Sequence, residues 1–298
     1  MAEAGEQRLQ LGVIGDPIAH SLSPVLHSFL IAKLGLSYEY RAYRVASSEL
    51  QAFLQQARAS DFAGLNVTIP HKERVLAYLD GLSADARQLG AVNTIVRQGG
   101  QLIGYNTDGL GFRRALEAKV VKLAGRSAIV LGAGGAARAV VYALIGGGIG
   151  RLTLANRTLN RAEELAWQLS ANTGFQAIYT CALADMARLN RAIAEAELLV
   201  NATSVGLAPA VDRSPLSDAA PLHPGLVVYD LVYRPPRTRL LRQAQAAGAR
   251  PLSGLEMLIY QGIESLCLWT GRPRGEFYIW AEELQKYLLS YAGKPGRE

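Results

Sequence analysis

Val130-Leu131-Gly132-Ala133-Gly134-Gly135-Ala136-Ala137 decides how the rest of the chain is read. An apolar run, 127–131, leads into it and a helix-like run, 136–145, leads out, so the stretch reads as strand, tight turn and helix. The spacing fits G-x-G-x-x-A, with Ala137 in the third small position. Gly132 would make the turn, Gly134 would let the backbone approach a pyrophosphate, and Ala137 would keep helix and strand close. The first N–H groups of the helix favour phosphate charge. Glycine-rich turns also serve packing alone, so the motif takes its meaning from the strand and helix that flank it.

Outward from this loop, 151–155, 198–201 and 226–230 read as further buried strands, separated by helical runs such as 159–170 and 238–247. Such a series makes a doubly wound sheet. The strand after the glycine loop ends in Leu154-Ala155-Asn156-Arg157-Thr158. An NAD site usually places Asp or Glu there for the ribose hydroxyls. Arg157 and Thr158, with Arg161 one helical turn later, suit the 2′-phosphate of NADP instead. Without the glycine loop, Arg157 would read as an exposed residue after a helix cap.

In the first half, 9–14, 38–45, 64–67 and 91–96 read as strands, and 24–34 and 48–60 as helices, the first with Ser23 as its cap. The alternation argues for parallel βα units. From Leu255 onward the pattern is helical. The expectation is an α/β protein of two βα domains. Residues 1–108 form a substrate-binding domain, completed by helices of 255–298 that pack back on it. Residues 109–254 form a Rossmann-type, doubly wound NADP-binding domain.

The 298 residues carry 31 Lys and Arg against 25 Asp and Glu, a formal charge of +6. Most of the bases are Arg and they are scattered, so no stripe marks a nucleic-acid surface. A mild positive field would collect small anionic substrates, and a solvated surface carries the same field. Cys181 and Cys267 stand far apart without a ligand pattern, which argues against disulfides or zinc and for a reducing cytoplasm. Cys267, inside Leu266-Cys267-Leu268-Trp269, reads as a small core residue. Residues 1–10 are too short and polar for a signal or transit peptide. The apolar stretch 128–149 is broken by Arg138 and by glycines, and suits a strand-turn-helix better than a membrane span.

Four polar clusters lie beside the apolar runs of the first half. They are Ser21-Leu22-Ser23-Pro24, Asn66-Val67-Thr68-Ile69-Pro70-His71-Lys72, Gly90-Ala91-Val92-Asn93-Thr94 and Gly104-Tyr105-Asn106-Thr107-Asp108-Gly109. Open parallel sheets bind ligands at the carboxyl ends of their strands, where such groups can converge. Each also has a plainer reading: Ser23 as a helix cap, Asn66 and Asn93 as turn formers, Asp108 as a cap before Gly109. His71 reads as a helix-start residue.

Together the clusters resemble the shikimate dehydrogenase family, in family order over nearly the whole chain. The resemblance starts at Gly15-Asp16-Pro17-Ile18-Ala19-His20 and takes in the four clusters and the glycine loop. It continues through Asn156-Arg157-Thr158, Asn201-Ala202-Thr203-Ser204-Val205-Gly206 and Tyr229-Asp230-Leu231-Val232-Tyr233-Arg234-Pro235. It ends on Gly254-Leu255-Glu256-Met257-Leu258-Ile259-Tyr260-Gln261-Gly262. Arg161 departs from it, since many members carry Lys there, but the charge survives.

The resemblance implies NADP-dependent, reversible reduction of 3-dehydroshikimate to shikimate, in the route to chorismate and the aromatic amino acids. By the same resemblance Ser21 and Ser23, with Tyr233, bind the substrate carboxylate. Asn66, Thr68, Lys72, Asn93, Asp108 and Gln261 surround the ring hydroxyls and the reacting carbon. Gly132, Ala133, Gly134, Gly135 and Ala136 hold the pyrophosphate, and Asn156, Arg157, Thr158 and Arg161 the adenosine end. Leu231 and Gly254 flank the nicotinamide. The expected partner is the small-molecule substrate, with no nucleic acid and no membrane; a homodimer is left open.

Hydride delivery to a ketone leaves negative charge on oxygen, so a proton donor must lie within hydrogen-bond reach. Lys72 is the candidate acid/base and Asp108 its orienting partner; a neighbouring carboxylate favours a charged amine, whereas desolvation opposes it. Two other readings stay open. One is a quinate/shikimate dehydrogenase that uses NAD or both cofactors; the other is a cofactor-binding regulator that has lost catalysis. Ser21 and Arg157 favour the shikimate-NADP type, and intact Lys72 and Asp108 weigh against the regulator. No Tyr is followed four residues later by Lys, which weighs against a short-chain dehydrogenase.

Overall fold

The computed structural model describes residues 8–292. Of the segment 1–10 read above as neither signal nor transit peptide, residues 1–7 lie outside that range, as do 293–298 of the C-terminal stretch. The chain begins with β1 (Leu9–Gly15), α1 (Ser23–Lys33), β2 (Tyr38–Arg44), α2 (Leu50–Ala59) and β3 (Phe62–Val67). After a 3₁₀ turn at Arg74–Tyr78 come β4 (Gly81–Leu82), α3 (Ala84–Leu89), β5 (Thr94–Gln98) and β6 (Gln101–Tyr105). The sheet order is β2-β1-β3-β5-β6-β4. Leu50, Leu54 and Ala57 of α2 repeat at helical spacing and close over Ile14, Leu65, Val67 and Ile95 of the sheet.

The reading of this half as parallel throughout needs one correction. β1 pairs in parallel with β2 and β3, but β5 runs antiparallel to both β3 and β6. Gly99 (φ 56) and Gly100 (φ 83) reverse the chain between β5 and β6, in the left-handed conformations that a tight two-residue hairpin demands. An antiparallel strand presents its amino end where its neighbours present carboxyl ends. Thr94, the first residue of β5, therefore stands opposite Asn66 near the end of β3.

A second correction concerns α1. Leu22 holds the cap position without a side-chain bond, and Ser23 and Pro24 fill the first helical positions. Pro suits that place because the N–H it lacks would have no helical acceptor. The oxygen that serves the helix start is Ser21 Oγ, which accepts the Ser23 N–H at 3.2 Å.

The chain continues with α4 (Asp108–Ala118), β7 (Ser127–Leu131), α5 (Gly135–Gly146), β8 (Arg151–Asn156), α6 (Leu159–Thr173) and β9 (Ile178–Ala182). Then come α7 (Met186–Ala194), β10 (Leu198–Asn201), β11 (Val227–Asp230), α8 (Arg239–Ala246) and β12 (Arg250–Ser253). These six strands are all parallel, in the order β12-β11-β10-β7-β8-β9. Counted from β7 that is the doubly wound Rossmann order, and its direction reverses between β7 and β10. Ile129, Leu131, Leu199 and Val228 of the strands pack with Leu189 and Ile193 of α7 and Leu240, Leu241 and Ala244 of α8. Cys181 joins that core, whereas Cys267, expected to be buried, is only partly so; both thiols are free. Residues 128–149 are the strand, loop and helix expected of them, and among the described residues no helix is long and apolar enough to cross a membrane.

The chain ends in α9 (Leu255–Thr270), α10 (Gly275–Tyr278) and α11 (Ala281–Ala292). Two compact units result: the stretch through Thr107 with Ile259–Leu288, and Asp108–Leu258 with the residues from Leu289 on. Within the first unit, Trp269 on α9 donates its indole N–H to the Ile95 carbonyl at 2.9 Å and lies beside the rings of His27 and Tyr40.

Candidate active site

In the first unit the residues singled out from sequence gather at one edge of the sheet. Ser21 and Ser23 lie between β1 and the body of α1, Thr68 and Lys72 follow β3, Asn93 immediately precedes β5, and Gln261 lies on α9. Asn66, Asn93 and Gln261 are 5, 2 and 9 % exposed. Amides so buried must be bonded, and these are bonded to one another. Asn93 Nδ2 donates to Gln261 Oε1 at 3.2 Å and to Thr107 Oγ1 at 2.9 Å. Asn93 Oδ1 accepts the Thr107 N–H at 2.8 Å and the Thr94 hydroxyl at 3.0 Å. Asn66 Nδ2 donates to the Asn93 carbonyl at 3.1 Å and to Ser265 Oγ at 3.0 Å, while Asn66 Oδ1 accepts the Tyr40 hydroxyl at 2.6 Å. Neither asparagine is the turn former that its local sequence allows.

Thr68 and Lys72 are half-buried on the segment that leaves β3. Its course is set by the backbone: Thr68 N–H donates to Ile14 O at 3.0 Å, and Val92 N–H donates to Lys72 O at 2.8 Å. His71 between them is fully buried, with Nε2 2.7 Å from the Val45 carbonyl, and the helical turn begins only at Arg74. Its ring anchors the segment, and its carbonyl accepts the Val75 N–H at 2.9 Å, so it stands just ahead of that turn. Below the edge, His27 is stacked on Tyr40 with centroids 4.2 Å apart. Burial lowers its pKa to about 3, against an opposing contribution from the Asn66 side chain, so the ring is neutral.

The second unit holds Asp108, Tyr233 and every residue assigned to the cofactor. Asp108 is the first residue of α4 and is 4 % exposed. Tyr233 is half-buried between β11 and α8. Gly132 and Gly134 are glycine for different reasons. Gly132 has φ 112, which side chains avoid, and a Cβ there would lie 3.1 Å from the Ala202 carbonyl after β10. Gly134 has an ordinary φ of −97, and a Cβ there would meet no atom within 4 Å. Neither backbone strain nor packing accounts for Gly134, and the space beside it is open. Ala133, Gly135 and Ala136 share this loop and the start of α5, where no side chain caps the helix; the first N–H groups of a helix lack intrahelical acceptors and favour negative charge.

At the end of β8, Asn156 Nδ2 donates to Thr158 O at 2.8 Å and closes the turn into α6. Arg157, Thr158 and Arg161 are exposed, and among the described residues no ion pair engages either arginine. A glycine that opens space beside a helix start, with two unpaired arginines one strand away, fits a dinucleotide carrying an extra phosphate. Leu231 after β11 lies against Gly254 after β12 at the same edge of the sheet.

Two residues without an assigned role tie these sites together within their units. Ser265 sits at the centre of the first unit's polar cluster; it lies one helical turn beyond Gln261, a spacing that could have signalled it, but in an apolar run. In the second unit Asp230 is fully buried and accepts from Thr238 Oγ1 at 2.6 Å, the Val232 N–H at 3.0 Å and Asn201 Nδ2 at 2.8 Å. Burial raises its pKa to about 6, and these donors oppose the rise. Asn201 Oδ1 in turn accepts the Thr203 N–H at 3.0 Å, so the carboxylate steadies the turn that backs Gly132.

A parallel sheet in this order, with a glycine loop at its switch point, makes the second unit a dinucleotide-binding domain. A model of the shikimate dehydrogenase substrate binding domain matches residues 13–95, and one of shikimate / quinate 5-dehydrogenase matches residues 114–231. The chain belongs to the shikimate dehydrogenase family. The NADP(+) shikimate dehydrogenase of Symbiobacterium thermophilum is 49% identical over 263 residues, 88% of this chain and 89% of that protein. Shikimate 5-dehydrogenase from Thermus thermophilus, solved in complex with NADP(H) and shikimate, is 40% identical with a TM-score of 0.79, covering 93% of this chain and 99% of that one. Quinate dehydrogenase from Corynebacterium glutamicum, solved with NAD, is 32% identical with a TM-score of 0.83, covering 95% of this chain and 99% of that one.

Proposed function

We propose that the chain interconverts 3-dehydroshikimate and shikimate with NADP, in the cytoplasm and on the route to chorismate. One observation carries this reading: the chain is 49% identical, over 88% of its length, to an NADP(+) shikimate dehydrogenase. The substrate domain of this reading is residues 1–108 completed by 255–298 and the cofactor domain 109–254, although Asp108, residues 255–258 and those from Leu289 on fall in the second compact unit.

NADP bound at the β7–α5 loop supplies or takes up the hydride. The side chains do the rest. Ser21, Ser23 and Tyr233 hold the substrate carboxylate through their hydroxyls, away from the reacting carbon. Asn66, Thr68, Asn93 and Gln261 hold the ring hydroxyls. In reduction, the Lys72 ammonium hydrogen-bonds the ketone oxygen and gives it a proton as negative charge develops there; in oxidation, the amine takes that proton back. The Asp108 carboxylate orients Lys72. Gly132 to Ala136 would cradle the pyrophosphate, Asn156 and Thr158 would border the adenosine, and Leu231 and Gly254 would flank the nicotinamide. Arg157 would meet the 2′-phosphate with its planar fork of donors, with Arg161 adding charge.

The test is a crossed assay of the purified protein, shikimate or quinate with NADP or NAD. The highest kcat/KM is expected for shikimate with NADP. A higher value for quinate or for NAD would assign the chain to the quinate/shikimate type, and no turnover with any pair would favour a cofactor-binding regulator.

A further inference from the structure

The polar cluster around Asn93 contains a hydroxyl that the proposed mechanism does not use. Ser265 is fully buried on α9. Its Oγ lies 2.7 Å from Thr94 Oγ1 and 3.2 Å from Thr107 Oγ1, accepts from Asn66 Nδ2 at 3.0 Å, and is 3.0 Å from the Gln261 carbonyl. A serine inside a helix gains little from bonding back to its own helix, and alanine would suit the helix better. Here three side chains from other elements converge on it.

The bonds have a direction. A backbone N–H can only donate, so the Thr107 N–H fixes Asn93 Oδ1 as acceptor and Asn93 Nδ2 as donor. Gln261 must then present Oε1 to Asn93, which settles the orientation of its amide as well. At the far end the Asn93 carbonyl can only accept, so it fixes Asn66 Nδ2 as donor. The Ser265 and Thr94 hydroxyls stand between these fixed amides. Asn66 Nδ2 donates to Ser265, the Ser265 proton has Thr94 Oγ1 and the Gln261 carbonyl in reach, and the Thr94 proton goes to Asn93 Oδ1.

We propose that Ser265 is a positioning residue: with Thr94 it links Asn66 to Asn93, and thereby holds the Asn93 and Gln261 amides in the orientation that receives the substrate's ring oxygens. It acts through those amides and touches neither substrate nor cofactor. The proposal rests on the reading that Asn93 and Gln261 bind the substrate.

The experiment compares Ser265→Ala, Gln261→Ala and the double variant by steady-state kinetics in shikimate and in NADP. Loss of one hydrogen-bonded hydroxyl should raise the shikimate KM roughly threefold to tenfold and leave the NADP KM unchanged. The double variant should exceed Gln261→Ala by less than the full Ser265→Ala effect, because the part of that effect carried by the Gln261 amide is already lost. Thr94→Val, which keeps the shape and removes the hydroxyl, should repeat the shikimate effect and serves where Ser265→Ala does not fold. If Gln261→Ala raises the shikimate KM while Ser265→Ala and Thr94→Val do not, or if the single effects multiply in the double variant, the positioning role is wrong and the substrate site stands. A Gln261→Ala protein with normal shikimate KM removes the substrate site itself, and this proposal with it.

Discussion

Asn66, Asn93 and Gln261 in the first unit are buried and bonded to one another, whereas Arg157 and Arg161 in the second are exposed and form no ion pair among the described residues. The ligands proposed for them differ in the same way. A ring bearing hydroxyls offers hydrogen bonds whose value depends on the direction of donor and acceptor, so the amides that read it must be fixed beforehand. A phosphate offers full charge, and a long cationic side chain can find it on arrival. Substitutions in the first unit should therefore spread to neighbours, while those at the cofactor edge should stay local.

The largest effect tests whether the first unit does chemistry as well as binding. Lys72→Ala should lower kcat by about two orders of magnitude or more, the usual scale for a positioned acid or base, with a smaller change in shikimate KM. Near-normal turnover by a folded variant would reduce that unit to a binding surface. Next comes the local effect at the cofactor edge. Arg157→Ala should weaken NADP by roughly tenfold to a hundredfold, as loss of one charge-assisted contact does, and leave NAD use nearly unchanged. An equal loss with both cofactors would mean that Arg157 supports the fold.

The two glycines of the β7–α5 loop sharpen the contrast further. Gly132→Ala should destabilise the protein by about 1–3 kcal/mol, because its φ of 112 and the nearby Ala202 carbonyl both resist a side chain. Gly134→Ala should unfold at the same denaturant concentration as the parent within error, yet raise the NADP KM several-fold. Parallel losses in stability and affinity at Gly134 would show that it, too, is glycine for the fold.

The smallest effect near neutral pH is on stability. His27, lowered from 6.5 to about 3 by burial, contributes stability that is present above pH 6.5 and lost as pH falls toward 3. Asp230, raised from 3.8 to about 6, has the opposite sign: its contribution is present below pH 3.8 and lost as pH rises through 6. His27→Phe, which keeps a ring against Tyr40, should remove the first dependence. Denaturant unfolding from pH 7 to pH 5.5 should show the parent losing stability relative to that variant, and parallel curves would mean that His27 is charged or hydrated in the fold.

The cofactor loop is legible because everything that defines it lies within a few consecutive residues: an apolar strand, two spaced glycines and a helix. The β5–β6 reversal is not, because residues 91–96 alternate no differently in a parallel or an antiparallel strand, and only the Gly99-Gly100 turn betrays the direction. The edge strands β9, Ile-Tyr-Thr-Cys-Ala, and β12, Arg-Pro-Leu-Ser, escape notice since edges need no continuous apolar run. Ser265 is hidden by distance: its partners Asn66 and Thr94 are 199 and 171 positions away, and locally it looks like a gap in the apolar run of α9.

The placement of Ile259–Leu288 in the first unit bears on how the protein comes into being on a ribosome. Synthesis runs from the amino end, and domains fold as their last segment emerges. All six strands of the second sheet precede α9, so that sheet has its full complement while Asn66, Asn93 and Thr94 still await Gln261, Ser265 and Trp269. The nascent chain thus completes the sheet that carries the proposed cofactor loop before it completes the polar cluster proposed for the substrate, while the residues from Leu289 on, which belong to the second unit, are the last to arrive.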